Sequence, residues 1–441
     1  MRNPFCSHSV FINTISTMNR IFGLALMAVF FVLIDLYVWQ AIKIVIRSTS
    51  ITTQRIVSIG YWSLTILSII GAIGVFTYSP VTAPVKASFR TFLMAGIFIF
   101  YISKVFSVFI LIIDDLIRLF KWGASFFQHV DSETIVSENI KPVAKGINRS
   151  DFLAKSALAV GGLHLGGMTW GILSGAHDYR VRRVTLNLKN LPKKFDGMTI
   201  AQLSDIHSGS FFNKTAVKGG VEMLMKEKPD VFFFTGDLVN NVAAEVKDYI
   251  DIFSKIKAPL GAFSTFGNHD YGDYTNWETP QKKVQNLKDL ANAHKIMGWD
   301  LLMDDHREIK VEGESIAVLG IQNWGAGGFA KYGDLTKSYN HTENYPVKLL
   351  LSHDPSHWRA QVLPKFKDID VAFAGHTHGM QYGVELGSFK WSPVQLRYKE
   401  WAGLYEQGNQ KLYVNRGFGY IGYPGRLGIL PEITIFELKA V

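Results

Sequence analysis

"VFFFTGD", residues 231–237, sets Val231, Phe232, Phe233 and Phe234 in one unbroken apolar run that stops on Thr235, Gly236 and Asp237. A β-branched and aromatic run without polar alternation reads as a strand buried on both faces, the pattern of a sheet covered on both sides. The aspartate behind the glycine turn then stands beyond the carboxyl end of that strand, where α/β sheets gather their ligands. The same figure recurs. "MTIAQLS" leads into Asp205-Ile206-His207, "GAFSTFG" into Asn268-His269-Asp270, "VKLLLS" into His353-Asp354, and "VAFAG" into His376-Thr377-His378. "RVTLNL", "IAVLGIQ", "KLYVNRG" and "EITIFEL" read as further strands, and residues 215–228 and 279–297 have helical composition. The class is therefore α/β, with strands meeting in a packed core.

Five strand ends thus deliver carboxylates, an amide and imidazoles to one edge: Asp205, His207, Asp237, Asn268, His353, His376 and His378. Oxygen and nitrogen donors without a thiolate suit Mn²⁺, Fe, Zn²⁺ or Mg²⁺ better than Cu(I) or an iron–sulfur cluster. Seven donors exceed what one ion with open positions needs, so two ions are the natural inference. In extended backbone, residues i and i+2 point the same way, which lets His376 and His378 face one site. The single cysteine, Cys6, excludes an intrachain disulfide and a cysteine-based metal site. The other eight histidines read as surface or satisfied polar positions.

The first 175 residues have a different composition. They hold 14 Lys+Arg against 7 Asp+Glu, and the rest of the 441-residue chain holds 32 against 30, so most of the +9 net charge lies in the first part. The nearly neutral remainder speaks against nucleic acid as a partner. Residues 56–78 carry no charge over 23 positions, enough to cross a ~30 Å hydrocarbon core as a helix. Residues 21–42, 91–113 and 153–174 form three more expected spans, with Asp35, Lys104 and His164 inside them. Snorkelling or an interhelical hydrogen bond is the expected role of these three, with a functional site as the alternative. Gly162/Gly166 and Gly167/Gly171 have the four-residue spacing that lets membrane helices approach closely. Two domains follow: a transmembrane region over 1–175 and an α/β domain over 176–441.

Basic residues in short loops set the orientation. Lys43, Arg47, Arg55, Arg118, Lys121, Lys141, Lys145 and Arg149 stand on one side against Arg2, Arg20, Lys86 and Arg90 on the other. The richer side is expected in the cytoplasm of a multi-pass cell (inner) membrane protein, with the N-terminus and the α/β domain outside. "NRSDFLAKSALAVGG", residues 148–162, resembles a degenerate twin-arginine export segment, with Ser150 where a second arginine belongs.

The ordered series "DIH", "GD", "GNHD", "SH" and "GHTH" resembles the calcineurin-like metallophosphoesterases over roughly residues 184–441, within a membrane-anchored bacterial subgroup with a twin-arginine-like segment. The resemblance implies two packed mixed β-sheets flanked by helices, a four-layer αββα sandwich. It implies that Asp205, His207 and His378 bind one divalent ion (Mn, Fe or Zn), that Asn268, His353 and His376 bind a second, and that Asp237 bridges them. The pair His376 and His378 is then split between the ions. His269 is implied to act on the leaving-group oxygen, with Asp270 orienting its ring. The implied reaction is hydrolysis of a phosphomonoester or phosphodiester by metal-bound hydroxide. Arg416 or Arg426 can hold a phosphate through its guanidinium fork or serve as a structural ion-pair partner, and "FGYIGYP", residues 418–424, reads as strand packing.

Roughly eight residues separate the fourth span from the first strand, at most ~30 Å when extended, which places the enzyme near the bilayer and points to a lipid-linked substrate. The alternatives are a broad phosphatase or cyclic-nucleotide phosphodiesterase, or a metal-binding sensor or transport-associated membrane protein. The complete ligand set and the presence of His269 favour the enzyme.

Overall fold

The structure, a computed structural model, describes residues 5–77, 87–126 and 149–441. It divides into two compact units, Met1–Thr169 and Trp170–Val441. The first is built from the helices α1 (Phe5–Ile46), α2 (Ile51–Thr77), α3 (Ala87–Ser125) and α4 (Arg149–Leu173), the last of which ends in the second unit. Each contains a segment long and apolar enough to cross a membrane, with mean hydropathies of 2.5, 1.9, 2.4 and 1.2 in chain order. The helices outrun the expected spans because helix formation does not stop where the apolar stretch does. In α3, Asp114, Asp115, Arg118 and Lys121 simply continue the helix. Large apolar side chains such as Ile66 and Phe98 point outward, as a lipid-facing surface requires.

Two of the three ionisable groups expected inside the spans form one cluster. Asp35 of α1 is fully buried and pairs with Lys104 Nζ of α3. It also accepts hydrogen bonds at 2.8 Å each from Tyr61 and Thr65 of α2 and from Tyr101 of α3. The Lys104 ammonium lies 3.7 Å from the centre of the Phe100 ring. The third group, His164 of α4, meets Ser103 Oγ at 2.8 Å through Nδ1. In the twin-arginine-like stretch, Arg149 pairs with Asp114 and Asp151 with Arg47. The glycine expectation needs correction. A Cβ at Gly162 or Gly166 meets nothing within 4 Å, whereas one at Gly161 falls 2.1 Å from Ser107 Oγ, so Gly161 is where α4 approaches α3.

The second unit carries β1 (Arg180–Leu188), β2 (Thr199–Leu203), β3 (Val231–Thr235), β4 (Ala262–Thr265), β5 (Asp300–Leu301), β6 (Asp305–Val311) and β7 (Glu314–Gly320). It continues with β8 (Lys348–Leu351), β9 (Val371–Ala374), β10 (Val384–Leu386), β11 (Phe389–Trp391), β12 (Gly403–Gln407), β13 (Gln410–Val414) and β14 (Glu432–Ala440). One sheet has the order β1-β14-β2-β3-β4-β5 and the other β12-β13-β9-β8-β7-β6, while β10 and β11 form a separate hairpin. Both large sheets are mixed: β14 runs antiparallel to β2, and β12 and β6 run antiparallel to β13 and β7.

Alternate residues of β3 explain its unbroken apolar run. Phe233 enters the core between the sheets with Ile200, Phe263, Val318, Leu349 and Phe373. Phe232 and Phe234 face the other way, onto α5 (Lys214–Lys226) and the later helix α7 (Pro280–Met297), with the short α6 (Ile250–Phe253) beside them. Trp358, Val362 and Leu335 cover the far side of the second sheet. The result is the four-layer αββα sandwich. The "FGYIGYP" stretch departs from expectation, since it is an irregular loop rather than a strand. Gly417, just before it, and Gly422, within it, take φ of +83° and +72°, incompatible with a strand, and Phe418 stacks on Tyr179 at 4.4 Å.

Candidate metal centre

Three of the five strand ends that carry candidate ligands turn sharply. Asp205, His207, Asp237, His376 and His378 all occupy the left-handed region, with φ between +48° and +70°. Such conformations cost about 1 kcal/mol or more each in non-glycine residues and persist only where surrounding structure enforces them. Here they turn side chains at the ends of three strands, β2, β3 and β9, toward one buried edge.

Two groups form there, Asp205 with His207 and His378, and Asp237 with His353 and His376, and within each the donor atoms lie within 4.8 Å of one another. His378 Nε2 lies 3.2 Å from Asp205 Oδ1 and 3.0 Å from His207 Nε2. His353 Nε2 lies 3.1 Å from Asp237 Oδ2 and 3.3 Å from His376 Nδ1. Asp237 Oδ2 is also 3.5 Å from His207 Nε2, so this carboxylate faces both groups. Asn268 adds a buried Oδ1 that has no hydrogen-bond partner, while its amide nitrogen donates to Tyr274 at 2.9 Å. Lone pairs converging at 3.0–3.3 Å together with an orphaned buried carbonyl oxygen are what a pair of divalent cations satisfies.

The surroundings fix each ring. His353 Nδ1 donates to the Thr235 carbonyl at 2.7 Å and His207 Nδ1 meets Asn240 Oδ1 at 3.1 Å, leaving both Nε2 atoms as donors to a metal. Burial pushes the His207 imidazole down to about 3, so it is neutral at physiological pH. Burial opposes charge on Asp205 and Asp237, yet His378 beside the first and His353 beside the second hold both carboxyls below the usual range. Burial also disfavours a charged His353, but without a metal the Asp237 carboxylate keeps a proton on it and raises it to about 10. A cation takes the place of that proton.

His269 is half-buried beside this pair. Its backbone N–H donates to Asp237 Oδ1 at 2.9 Å and its Nδ1 to the Asn240 carbonyl at 2.7 Å, which leaves Nε2 as the nitrogen that can carry a transferable proton. The orienting role expected of Asp270 therefore falls to Asn240. Asp270 instead accepts N–H groups from Gly267 and Asp237 at 2.8 Å, Leu238 at 2.9 Å and Val239 at 3.3 Å. Burial and the charge of Asp237 push its carboxyl up to about 7, against the pull of these donors. Asp270 ties the Asp237 turn to the Asn268 turn.

Arg416, expected at the substrate, is buried, with Nη1 on Glu432 at 2.6 Å and Nη2 on Glu385 at 2.7 Å. Arg426 is buried too, its Nη2 donating to the carbonyls of Gly417 at 3.1 Å and Gly419 at 2.5 Å. Both forks are filled by the protein. Sequence reasoning also missed Tyr398, whose hydroxyl meets His376 Nε2 at 2.8 Å, and Asn240. Asn240 follows Asp237 by three residues and was within reach of a loop-level reading; Tyr398 lies 22 residues from its partner with no motif to mark it.

Residues 198–380 match the calcineurin-like phosphoesterase family, and residues 18–176 match the family described as probable calcineurin-like phosphoesterase, transmembrane domain. The chain belongs to the calcineurin-like metallophosphoesterases, as a metal-dependent phosphoesterase with a four-helix membrane region ahead of its catalytic domain. It is 28% identical over 304 residues to an uncharacterized metallophosphoesterase, YkuE, of Bacillus subtilis, covering 67% of this chain and 99% of that one. It is 28% identical over 306 residues to the transmembrane protein with metallophosphoesterase domain of Danio rerio, covering 67% of this chain and 64% of that one. It is 26% identical over 298 residues to the UDP-2,3-diacylglucosamine pyrophosphatase LpxG of Chlamydia trachomatis, covering 57% of this chain and 88% of that one.

Proposed function

We propose that the protein hydrolyses a phosphoester carried by a membrane lipid, on the extracytoplasmic side of the inner membrane. The observation that carries the hydrolytic part is the convergence of seven donor side chains on one buried edge, with Asn268 Oδ1 left unpartnered among them. Asp205, His207 and His378 would hold one divalent ion and Asn268, His353 and His376 a second, with Asp237 shared; bound ions supply Lewis acidity toward the phosphoryl oxygens and activate water. His269, its ring fixed by the Asn240 carbonyl, passes a proton from Nε2 to the leaving oxygen. Asp270 ties the Asp237 turn to the Asn268 turn by accepting backbone N–H groups from both.

Two observations support a lipid-borne substrate. The enzyme follows four membrane helices after a short connection from Leu173 to Arg180, and one relative is named for action on a diacylated glucosamine nucleotide. The outside placement rests on the loop charges, of which Arg2, Lys86, Lys141 and Lys145 lie outside the described residues. The test is a rate screen of the full chain in bilayers against lipid and soluble phosphoesters, with Mn²⁺, Fe²⁺ or Zn²⁺ added singly. The expected result is turnover of a lipid phosphoester that vanishes, with the metal, in Asp237→Asn. Parent-level turnover by Asp237→Asn overturns the hydrolytic reading, and a thousandfold preference for a soluble nucleotide over every lipid phosphate overturns the lipid one.

A further inference from the structure

The hairpin of β10 and β11 has its polarity reversed. Its cross-strand pairs are Val384 with Trp391, Glu385 with Lys390 and Leu386 with Phe389. Side chains alternate across a strand, so Val384, Leu386, Phe389 and Trp391 share one face while Glu385 and Lys390 share the other. The charged face is the one turned to the protein. Glu385 pairs with Arg416 at 2.7 Å and with Arg182 at 2.6 Å, and Lys390 Nζ donates to the Ala402 carbonyl. The apolar face is turned out: Leu386 is 72% exposed, Phe389 59%, and Leu396, just beyond the hairpin, 89%. Water selects the opposite arrangement.

The hairpin is anchored beside the metal centre. Ser392, which closes the hairpin, donates to the Gly379 carbonyl at 2.8 Å, one residue beyond the ligand His378. Met380, two residues after His378, is exposed and held at φ +56°. Tyr398, whose hydroxyl meets His376, lies between the exposed Arg397 and Lys399. The patch thus combines Leu, Phe, Trp and Met with flanking cations, the composition that settles at the boundary between lipid headgroups and acyl chains.

We infer that this hairpin, with Met380 and Leu396, is a bilayer-docking surface that seats the rim of the metal centre in the headgroup layer. The bilayer is the occupant because the same chain carries four membrane helices, because the connection to the catalytic unit is short, and because Arg397 and Lys399 complement anionic headgroups. The inference also gives the buried Arg416 its work: with Glu385 and Glu432 it clamps the hairpin's charged face, so that the apolar face stays outward. Delivery of a lipid-borne phosphoester to the metals rests on the proposed function. The docking itself does not.

The test uses the full chain in the Cys6→Ser background, reconstituted in phosphatidylcholine–phosphatidylglycerol vesicles. Nitroxide labels are attached at Leu386→Cys and Leu396→Cys, with a control at Lys310→Cys on β6, at the opposite edge of the second sheet from β12. The expected result is a fall of about tenfold in accessibility to a water-soluble nickel chelate at 386 and 396 relative to 310, as insertion to the acyl boundary requires. Labels at 386 and 396 as accessible as the one at 310 overturn the docking. So does a short label-to-label distance between two chains in place of protection by lipid, which assigns the patch to a second copy. No turnover is needed, so a protein that docks but hydrolyses nothing fails the proposed function alone.

Discussion

The Asp270 carboxylate accepts the backbone N–H of Asp237 at 2.8 Å, so the residue placed to bridge two ions is held by one that lies outside the ligand set. The same carboxylate accepts the N–H of Gly267, one residue before the candidate ligand Asn268. Two turns from different strands are thus locked at one spacing by a single side chain. Asp270→Ala leaves up to four buried N–H donors without an acceptor and is expected to cost about 3 kcal/mol of stability, with a loss of bound metal. Thermal unfolding and metal analysis of the purified variant check this. Normal metal content at normal stability would contradict the locking role.

His269 touches the centre through its backbone, and its side chain is free of the ligand set. His269→Ala is therefore expected to lower kcat by about 10²–10⁴-fold with metal content unchanged, the size of a general-acid contribution. Steady-state rates beside metal stoichiometry separate this from a ligand. A variant that turns over at the parent rate removes His269 from the proton path.

Away from the metals, burial pushes His294 down to about 3 and His357 to about 4. An unfolded imidazole takes up its proton near 6.5, so between that pH and the folded value the unfolded chain binds protons that the native domain refuses. Stability is full above about pH 6.5 and is lost as pH falls, by about 2 kcal/mol for each of the two at pH 5. His294→Gln is expected to flatten the acid limb of the stability curve relative to the parent, read by denaturant unfolding at stepped pH and fixed metal. An acid limb of unchanged slope would show that His294 does not refuse the proton.

In the membrane unit, Asp35→Asn strands the Lys104 ammonium and Lys104→Met strands the carboxylate. Each single change is expected to destabilise by about 3–5 kcal/mol, and the double change Asp35→Asn with Lys104→Met by clearly less, because a lone buried charge costs more than a removed pair. Thermal stability of the four proteins in lipid nanodiscs forms the cycle. Additive losses would mean the pair is not coupled.

The strand ends and their chemistry were legible because they are local. An apolar run followed by Gly-Asp, Gly-Asn-His-Asp or Gly-His-Thr-His needs only the period of a strand and the residue types of a ligand set. The membrane helices were legible for the same reason, since hydropathy is a property of a window. Arg416 was not, because whether a guanidinium meets substrate or a buried glutamate depends on Glu385 and Glu432, 31 and 16 residues away. The partner of His269 was misjudged because sequence adjacency favoured Asp270, whereas the turn directs that carboxylate into four backbone N–H groups.

By itself, the sequence determined the four apolar helices ahead of an α/β domain and the candidate donor residues at five strand ends, because periodicity, hydropathy and residue type are written in neighbouring residues. Tertiary structure alone decided which donors meet, that Asp237 faces both groups, that Asp35 answers Lys104, and that the hairpin at the rim turns its apolar face outward. Those are distances between residues remote in the chain, set by how two sheets and four helices pack.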